Sequence, residues 1–104
     1  MDTKKYDIIL TDIAKIDLDE IYEYIFKNLK EPDIAENLIE QIKKNILDLE
    51  IFPYRWREVY VKPKNRLYRR LIVENFIVLY RVVEEKRHVV IFRVLYSKRD
   101  YLEF

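Results

Sequence analysis

The 104-residue chain contains no glycine and no cysteine, and it has a single histidine. Phosphate-binding loops and dinucleotide fingerprints need glycine where the backbone approaches a phosphate, so the sequence excludes both. Without cysteine, the chain has neither a disulfide framework nor a thiolate metal site. One histidine excludes a His-rich metal site and a His–His acid–base pair. We therefore expect a protein that works without a metal or another cofactor.

Long apolar runs are also absent. No segment approaches the roughly 20 apolar residues that span a bilayer, and residues 1–5 lead into no signal-like stretch. We expect one cytoplasmic domain over residues 1–104 that makes no use of a membrane. Half of the residues are hydrophobic, but so short a chain builds only a modest core. A permanent partner would therefore stabilise it.

The net charge of +1 conceals a strong asymmetry between the two halves of the chain. Residues 1–54 carry 7 Lys and Arg against 13 Asp and Glu, which gives −6. Residues 55–104 carry 13 Lys and Arg against 6 Asp and Glu, which gives +7. Cations gathered in one half indicate an anionic partner, namely a nucleic acid, a nucleic-acid enzyme or an acidic protein segment.

The acidic half predicts a short strand followed by two helices. Residues 5–10 read as a strand, and apolar residues then recur at helical spacing over 14–29 and 35–49. Pro32 suits the first turn of the second helix, and Pro53 lies beyond its end because the residue before a proline avoids helical geometry. The acidic residues of the first helix are predicted to face solvent: Asp17, Asp19, Glu20 and Glu23.

The basic half predicts strands. Runs of β-forming residues occupy 67–73, 76–83 and 88–96. The stretch 53–66 before them is predicted to be mostly irregular, with a short strand at 58–61 as an option. Glu74-Asn75 separates the first two long runs, and Asn tolerates the left-handed backbone of a tight hairpin turn. The order β-α-α-β-β-β predicts an α+β fold, in which a small antiparallel sheet packs against an antiparallel helical hairpin.

Uninterrupted alternation divides the strand residues between two faces. It places Arg70, Arg81, Val94 and Tyr96 on one face and Leu95 on the other. Both faces are largely apolar, and the helical hairpin can cover only one of them. We therefore expect the second face to be open, and an open apolar face commonly marks an interaction site.

Two segments of the basic half carry a family resemblance. Leu67–Val82 (LYRRLIVENFIVLYRV) and Arg93–Tyr101 (RVLYSKRDY) resemble the RelE/ParE superfamily of bacterial toxins from type II toxin–antitoxin systems. The resemblance extends over nearly the whole chain, including the helix break near Pro32. It implies a toxin that arrests growth and forms a hetero-oligomer with a cognate antitoxin, which neutralises it. Antitoxin segments of this kind are commonly acidic and amphipathic, in keeping with the basic half.

Members of this superfamily differ in their target. RelE-like toxins cut mRNA on the ribosome, whereas ParE-like toxins poison DNA gyrase and are not nucleases. The nucleases carry a basic residue directly after the aromatic that follows the β-turn, and here Phe76 is followed by Ile77. This departure and the two long helices favour a gyrase inhibitor. A ribosome-dependent mRNA interferase is the alternative, and an inactive protein-binding module of the same fold is a third interpretation.

The candidate site residues follow from the same comparison. Cleavage of RNA by 2′-OH attack needs a base, a proton donor and cations that stabilise the developing charge. The resemblance implies basic positions at Arg70 and Arg99, to which the sequence adds Arg81 for charge and either Tyr96 or Tyr101 as a proton donor. Without nuclease activity, Arg70 and Arg81 would be sheet cations that hold the antitoxin. Three further residues of the tail segment are candidates for contact with the target: Arg93, Lys98 and Tyr101.

Overall fold

The computed structural model describes residues 5–62 and 64–97. Its helices and strands follow the predicted order β-α-α-β-β-β. A further strand at Glu58–Val61 precedes the three long strands, at the position where the sequence left room for one. The elements are β1 (Asp7–Leu10), α1 (Asp12–Asn28), α2 (Pro32–Leu47), β2 (Glu58–Val61), β3 (Arg66–Val73), β4 (Phe76–Val83) and β5 (His88–Tyr96). Within these residues, no helix has the length and apolar character needed to cross a membrane.

The five strands form one sheet in the order β1-β5-β4-β3-β2. Strands β3, β4 and β5 are antiparallel neighbours, as predicted, and β2 adds a further antiparallel strand beside β3. The opening strand differs, because β1 pairs with β5 in parallel, with Asp7 opposite His88 and Leu10 opposite Ile91. The sheet is therefore mixed rather than purely antiparallel. A parallel pair needs a long crossover connection, and here β1 and β5 are far apart in the chain.

The helices start where local chemistry favours it. The hydroxyl of Thr11 accepts a hydrogen bond of 3.1 Å from the Ala14 N–H, which caps α1. Pro32 occupies the first position of α2, where its missing N–H is not needed. The residues between the helices are few, and the ammonium of Lys43 lies 5.8 Å from the ring centre of Tyr22. The two helices thus form the predicted hairpin.

The main core lies between this hairpin and one face of the sheet. The helices contribute Leu18, Ile25, Ile39 and Ile42, each less than a tenth exposed. We call the sheet side that meets them the helix face; its buried residues are Leu71, Val73, Phe76, Val78, Tyr80, Val89, Ile91 and Val94. The Tyr80 hydroxyl donates a 2.6 Å hydrogen bond to the Pro53 carbonyl, and burial raises its pKa to about 12.

Turns without glycine require other residues in left-handed geometry. Asn65, Glu74 and Arg87 have φ values of 50°, 51° and 55°. The sequence predicted left-handed geometry at Asn75 in the β3–β4 turn, but the structure places it at Glu74. This conformation is only slightly unfavourable for Asn, whereas in Glu and Arg it brings Cβ too close to the following carbonyl oxygen. Two of the three left-handed positions are therefore strained.

Candidate functional site

The sheet side opposite the helices carries the candidate site residues of β3 and β4. We call it the outer face. Cα partners in the register share a face, so Arg70 lies opposite Leu79 on this side, and Arg81 lies two residues further along β4. The outer face includes Val59, Val61, Arg66, Tyr68, Arg70, Ile72, Ile77, Leu79, Arg81, Val83, His88, Val90, Phe92, Arg93 and Leu95.

Arg70 and Arg81 are diagonal neighbours on the outer face. Such residues on adjacent antiparallel strands have Cα atoms about 7–8 Å apart. Arg70 is half-buried and Arg81 is exposed. Two like charges at this spacing repel each other, which favours an anion between them. The structure thus brings together two of the four predicted catalytic residues.

The centre of the outer face is not the open apolar surface that the sequence predicted. Val61, Tyr68, Ile77, Leu79 and Leu95 are each less than a tenth exposed and form a second, smaller cluster. The rings of Tyr68 and Phe92 meet edge to face, with centroids 5.1 Å apart. Strand β5 contains a β-bulge near Phe92. A β-bulge bends a strand and increases its twist, which favours contact among these side chains.

That bulge also changes the predicted position of Tyr96. Leu79 pairs with Arg93, but the next residue of β4, Tyr80, pairs with Ile91. One extra residue on β5 is thus accommodated at Phe92, and every side chain after it changes face. Val94 and Tyr96 consequently lie on the helix face, where the Tyr96 ring packs 5.6 Å from that of Phe76. Arg70 and Arg81 therefore do not share a face with Tyr96.

Arg93, a candidate for contact with the target, forms an ion pair within the structure. Its guanidinium donates two hydrogen bonds to Asp17, from Nε at 2.7 Å and from a terminal nitrogen at 3.1 Å. Asp17 also accepts the backbone N–H of Val94 at 2.9 Å. The prediction that Asp17 faces solvent is wrong, because it is only 8% exposed. Asp19, Glu20 and Glu23 are exposed as predicted.

Arg69 has a structural role that the sequence analysis missed. It holds the segment after α2 against the sheet, because it donates to the Trp56 carbonyl at 2.6 Å and lies over the Tyr54 ring. Tyr54 in turn hydrogen-bonds Glu84, and this bond raises the pKa of the Tyr54 hydroxyl to about 12. Two adjacent arginines in the sequence thus have different roles. Only their assignment to opposite faces distinguishes Arg69 from Arg70.

A groove of about 320 Å³ runs between α1 and the ends of β4 and β5. Its walls are largely apolar, with acidic groups of α1 at one side; they comprise Asp17, Glu20, Ile21, Tyr24, Phe76, Val94, Leu95 and Tyr96. Large apolar side chains are also exposed elsewhere on α1, at Ile13, Ile16 and Phe26. Exposed apolar surface of this kind is typical of a protein-binding region.

The remaining candidates, Lys98, Arg99 and Tyr101, lie outside the described residues. Within the described ranges, no three His, Cys, Asp or Glu side chains are grouped closely enough to hold a metal ion.

A family model of the ParE toxin of the type II toxin–antitoxin system parDE matches residues 8–101. The chain belongs to the ParE toxin family. The match includes both helices, all but the first residue of β1, and the four strands of the basic half. It therefore supports the resemblance that the sequence showed over nearly its whole length. No curated protein sequence matches the chain.

Solved structures share the toxin's fold at low sequence identity. One is the RelBE2 toxin–antitoxin complex from Mycobacterium tuberculosis, with 21% identity, a TM-score of 0.61, and coverage of 91% of this chain and 94% of that one. Another is a chromosomal ParDE system from P. aeruginosa, with 22% identity, a TM-score of 0.65, and coverage of 88% and 96%. The toxin thus has a fold that occurs in both RelBE and ParDE systems.

Proposed function

We propose that this toxin arrests growth by binding DNA gyrase and does not cleave mRNA. The observation that carries the proposal is the position of Ile77. It lies at the buried centre of the outer face, where the nucleases that the chain resembles have a cation. An apolar side chain there supports packing and binding, and it supplies neither charge nor a proton to a reacting phosphate.

The arrangement of the other candidates supports the same proposal. A nuclease needs a proton donor and cations around one phosphate. Arg70 and Arg81 share the outer face, but Tyr96 lies on the helix face. The two arginines suit a role in attracting and orienting an anionic partner.

We further propose a cognate antitoxin as the second partner of this cytoplasmic toxin. Both structural relatives come from toxin–antitoxin systems. The exposed apolar side chains of α1 and the adjoining groove provide a surface that an amphipathic segment would bury. Acidic residues of the antitoxin would be attracted to the basic half of the chain and not to the groove, whose charged wall is acidic.

One pair of assays tests the target. Purified toxin is added to a gyrase supercoiling reaction, and mRNA from cells that express the toxin is mapped by primer extension. We expect inhibited supercoiling, intact mRNA, and weaker inhibition by Arg70→Gln and Arg81→Gln. Lys44→Gln, an exposed cation of α2, is the matched control. New 5′ ends at fixed codon positions would instead establish an mRNA interferase, and Arg70, Arg81, Arg99 and Tyr96 would then be the candidates to test by substitution.

A further inference from the structure

The bulge in β5 is held by residues of α1 and its cap. In a regular strand, the carbonyls of consecutive residues point to opposite sides. Here the Ile91 carbonyl accepts the backbone N–H of Thr11 at 3.1 Å, and the Phe92 carbonyl accepts the Thr11 hydroxyl, also at 3.1 Å. Two successive carbonyls therefore point to the same side of β5, and one residue satisfies both of them.

Beyond the bulge, this edge of β5 meets α1, and no strand among residues 5–62 and 64–97 pairs with it. Pairing with β1 ends at Leu10, opposite Ile91. The buried N–H of Val94 would have no strand partner, and it donates instead to the Asp17 carboxylate. Asp17 is itself nearly buried, and its charge is balanced by the two hydrogen bonds from Arg93. A buried donor or carboxylate left unpaired is unfavourable, so these bonds stabilise the bulged register over a regular one.

We propose that Asp17 and Arg93 are positioning residues of the toxin. Their ion pair holds the bulge and thereby fixes the side of the sheet on which Tyr96 lies. Loss of the bulge would return β5 to regular alternation and move Tyr96 from Phe76 to the outer face. It would also displace the end of β5, where the Ser97 N–H is bonded to the Asn75 carbonyl at 2.6 Å. This inference rests on the proposed function only in requiring that the chain is toxic.

The positioning role gives Arg93 a function that differs from target contact. Its side chain is about one-fifth exposed and that of Asp17 one-tenth, so little of the pair is available to a partner. Asp17 and Tyr96 line the same groove. The pair is thus placed to determine the shape of that groove and the position of the last residues of β5.

The test compares the full-length toxin with Arg93→Gln, Asp17→Asn and the double variant. Growth arrest on induction measures function. Nuclear Overhauser contacts between the Phe76 and Tyr96 rings in the purified toxin measure the register. In Arg93→Gln, the carboxylate of Asp17 loses its ionic partner, so we expect both growth arrest and the ring contact to be lost. In the double variant, two neutral amides can bond each other and one amide oxygen can accept the Val94 N–H, so both readouts should return.

The matched control is Asp19→Asn, an exposed acid two residues along α1, which should retain growth arrest and the ring contact. Retention of both by Arg93→Gln would overturn the inference, as would growth arrest that persists without the ring contact. If Arg93→Gln does not fold, the double variant tests the inference instead, because the inference requires it to recover both growth arrest and the ring contact. A non-toxic double variant with the wild-type ring contact would show that Arg93 contacts the target directly. Because growth arrest is scored without reference to the target, an inactive toxin in the gyrase assay would contradict only the proposed function.

Discussion

The carboxylate of Glu84, in the turn between β4 and β5, accepts a 2.7 Å hydrogen bond from the hydroxyl of Tyr6, 78 residues earlier. The same oxygen accepts the Tyr54 hydroxyl, and the Arg87 guanidinium lies 3.2 Å from the other oxygen. The Arg87 guanidinium also lies 4.0 Å from the ring centre of Tyr6. This cluster joins the start of the chain, the segment after α2 and the β4–β5 turn.

The cluster predicts a dependence of stability on acid pH. Hydrogen bonds from Tyr54 and Tyr6 lower the pKa of Glu84 from its ordinary value of 4.5. A carboxyl group with a lowered pKa in the folded state stabilises the fold above its unfolded pKa, and this contribution disappears as the pH falls through the folded pKa. We expect Glu84→Gln to reduce the free energy of unfolding at neutral pH, and the difference from wild type to shrink below pH 4.5.

Urea unfolding at a series of pH values measures this difference. Glu85→Gln changes the adjacent exposed carboxyl group and should leave stability nearly unchanged at neutral pH. A Glu84→Gln variant that differs from wild type equally at neutral and acid pH would show that the charge of Glu84 does not contribute.

The β3–β4 turn predicts opposite effects of glycine at two adjacent positions. Glu74 has a φ of 51°, whereas Asn75 is not among the left-handed residues of the described ranges. Glu74→Gly removes the steric clash of the left-handed conformation. The energy of this clash exceeds the entropy cost of glycine, so we expect the free energy of unfolding to rise by about 0.5–1 kcal/mol. Asn75→Gly has only the entropy cost of glycine, and its free energy of unfolding should fall by about 0.5 kcal/mol. Thermal unfolding of both variants checks the signs, and destabilisation by Glu74→Gly would contradict the strain.

Most of the fold could be predicted because its signals are local. The limits of β4 and β5 were predicted to the residue, since turn residues bound each apolar run. Pro32 identified the start of α2 in the same way. Elements whose limits depend on neighbouring residues in the chain were therefore found without the structure.

The features that the sequence did not show depend on residues far apart in the chain. Ile91 to Val94 contain neither glycine nor proline to mark a bulge. The bulge is instead stabilised by Thr11 and Asp17, about 80 residues earlier. Asp17 resembles its acidic neighbours on α1 until its partners on β5 are known. The face predicted for Tyr96 and the exposure predicted for Asp17 were wrong for this reason.

The outer face predicts unequal effects of the same substitution at two paired positions. Ile72 and Ile77 are Cα partners on β3 and β4, but Ile72 is 41% exposed and Ile77 only 4%. An arginine at Ile77 would bury a charge without a partner, and we expect a loss of about 3 kcal/mol or more. Ile72→Arg should change the free energy of unfolding by about 0.5 kcal/mol or less. Urea unfolding measures both variants.

The same pair of variants also bears on the nuclease alternative. Because Tyr96 lies on the helix face, a cation added at Ile77 would still lack that proton donor. We expect mRNA to remain intact in cells that express Ile77→Arg. Cleavage gained by Ile77→Arg and not by Ile72→Arg would show that this position alone had prevented nuclease activity, and it would contradict the binding role proposed for the outer face.

The groove beside α1 predicts a variant that escapes the antitoxin but keeps its toxicity. Tyr24 lines the groove and is 57% exposed, so its ring is available to a partner. Tyr24→Glu would place a charge in an apolar contact, and we expect antitoxin binding to weaken by about 2 kcal/mol, as at other aromatic hot spots. Co-expressed antitoxin should then fail to restore growth. Lys15→Glu places a carboxylate at another exposed position of α1 and changes the charge by −2 instead of −1, and it should remain neutralised. Full neutralisation of Tyr24→Glu would place the antitoxin elsewhere on the toxin.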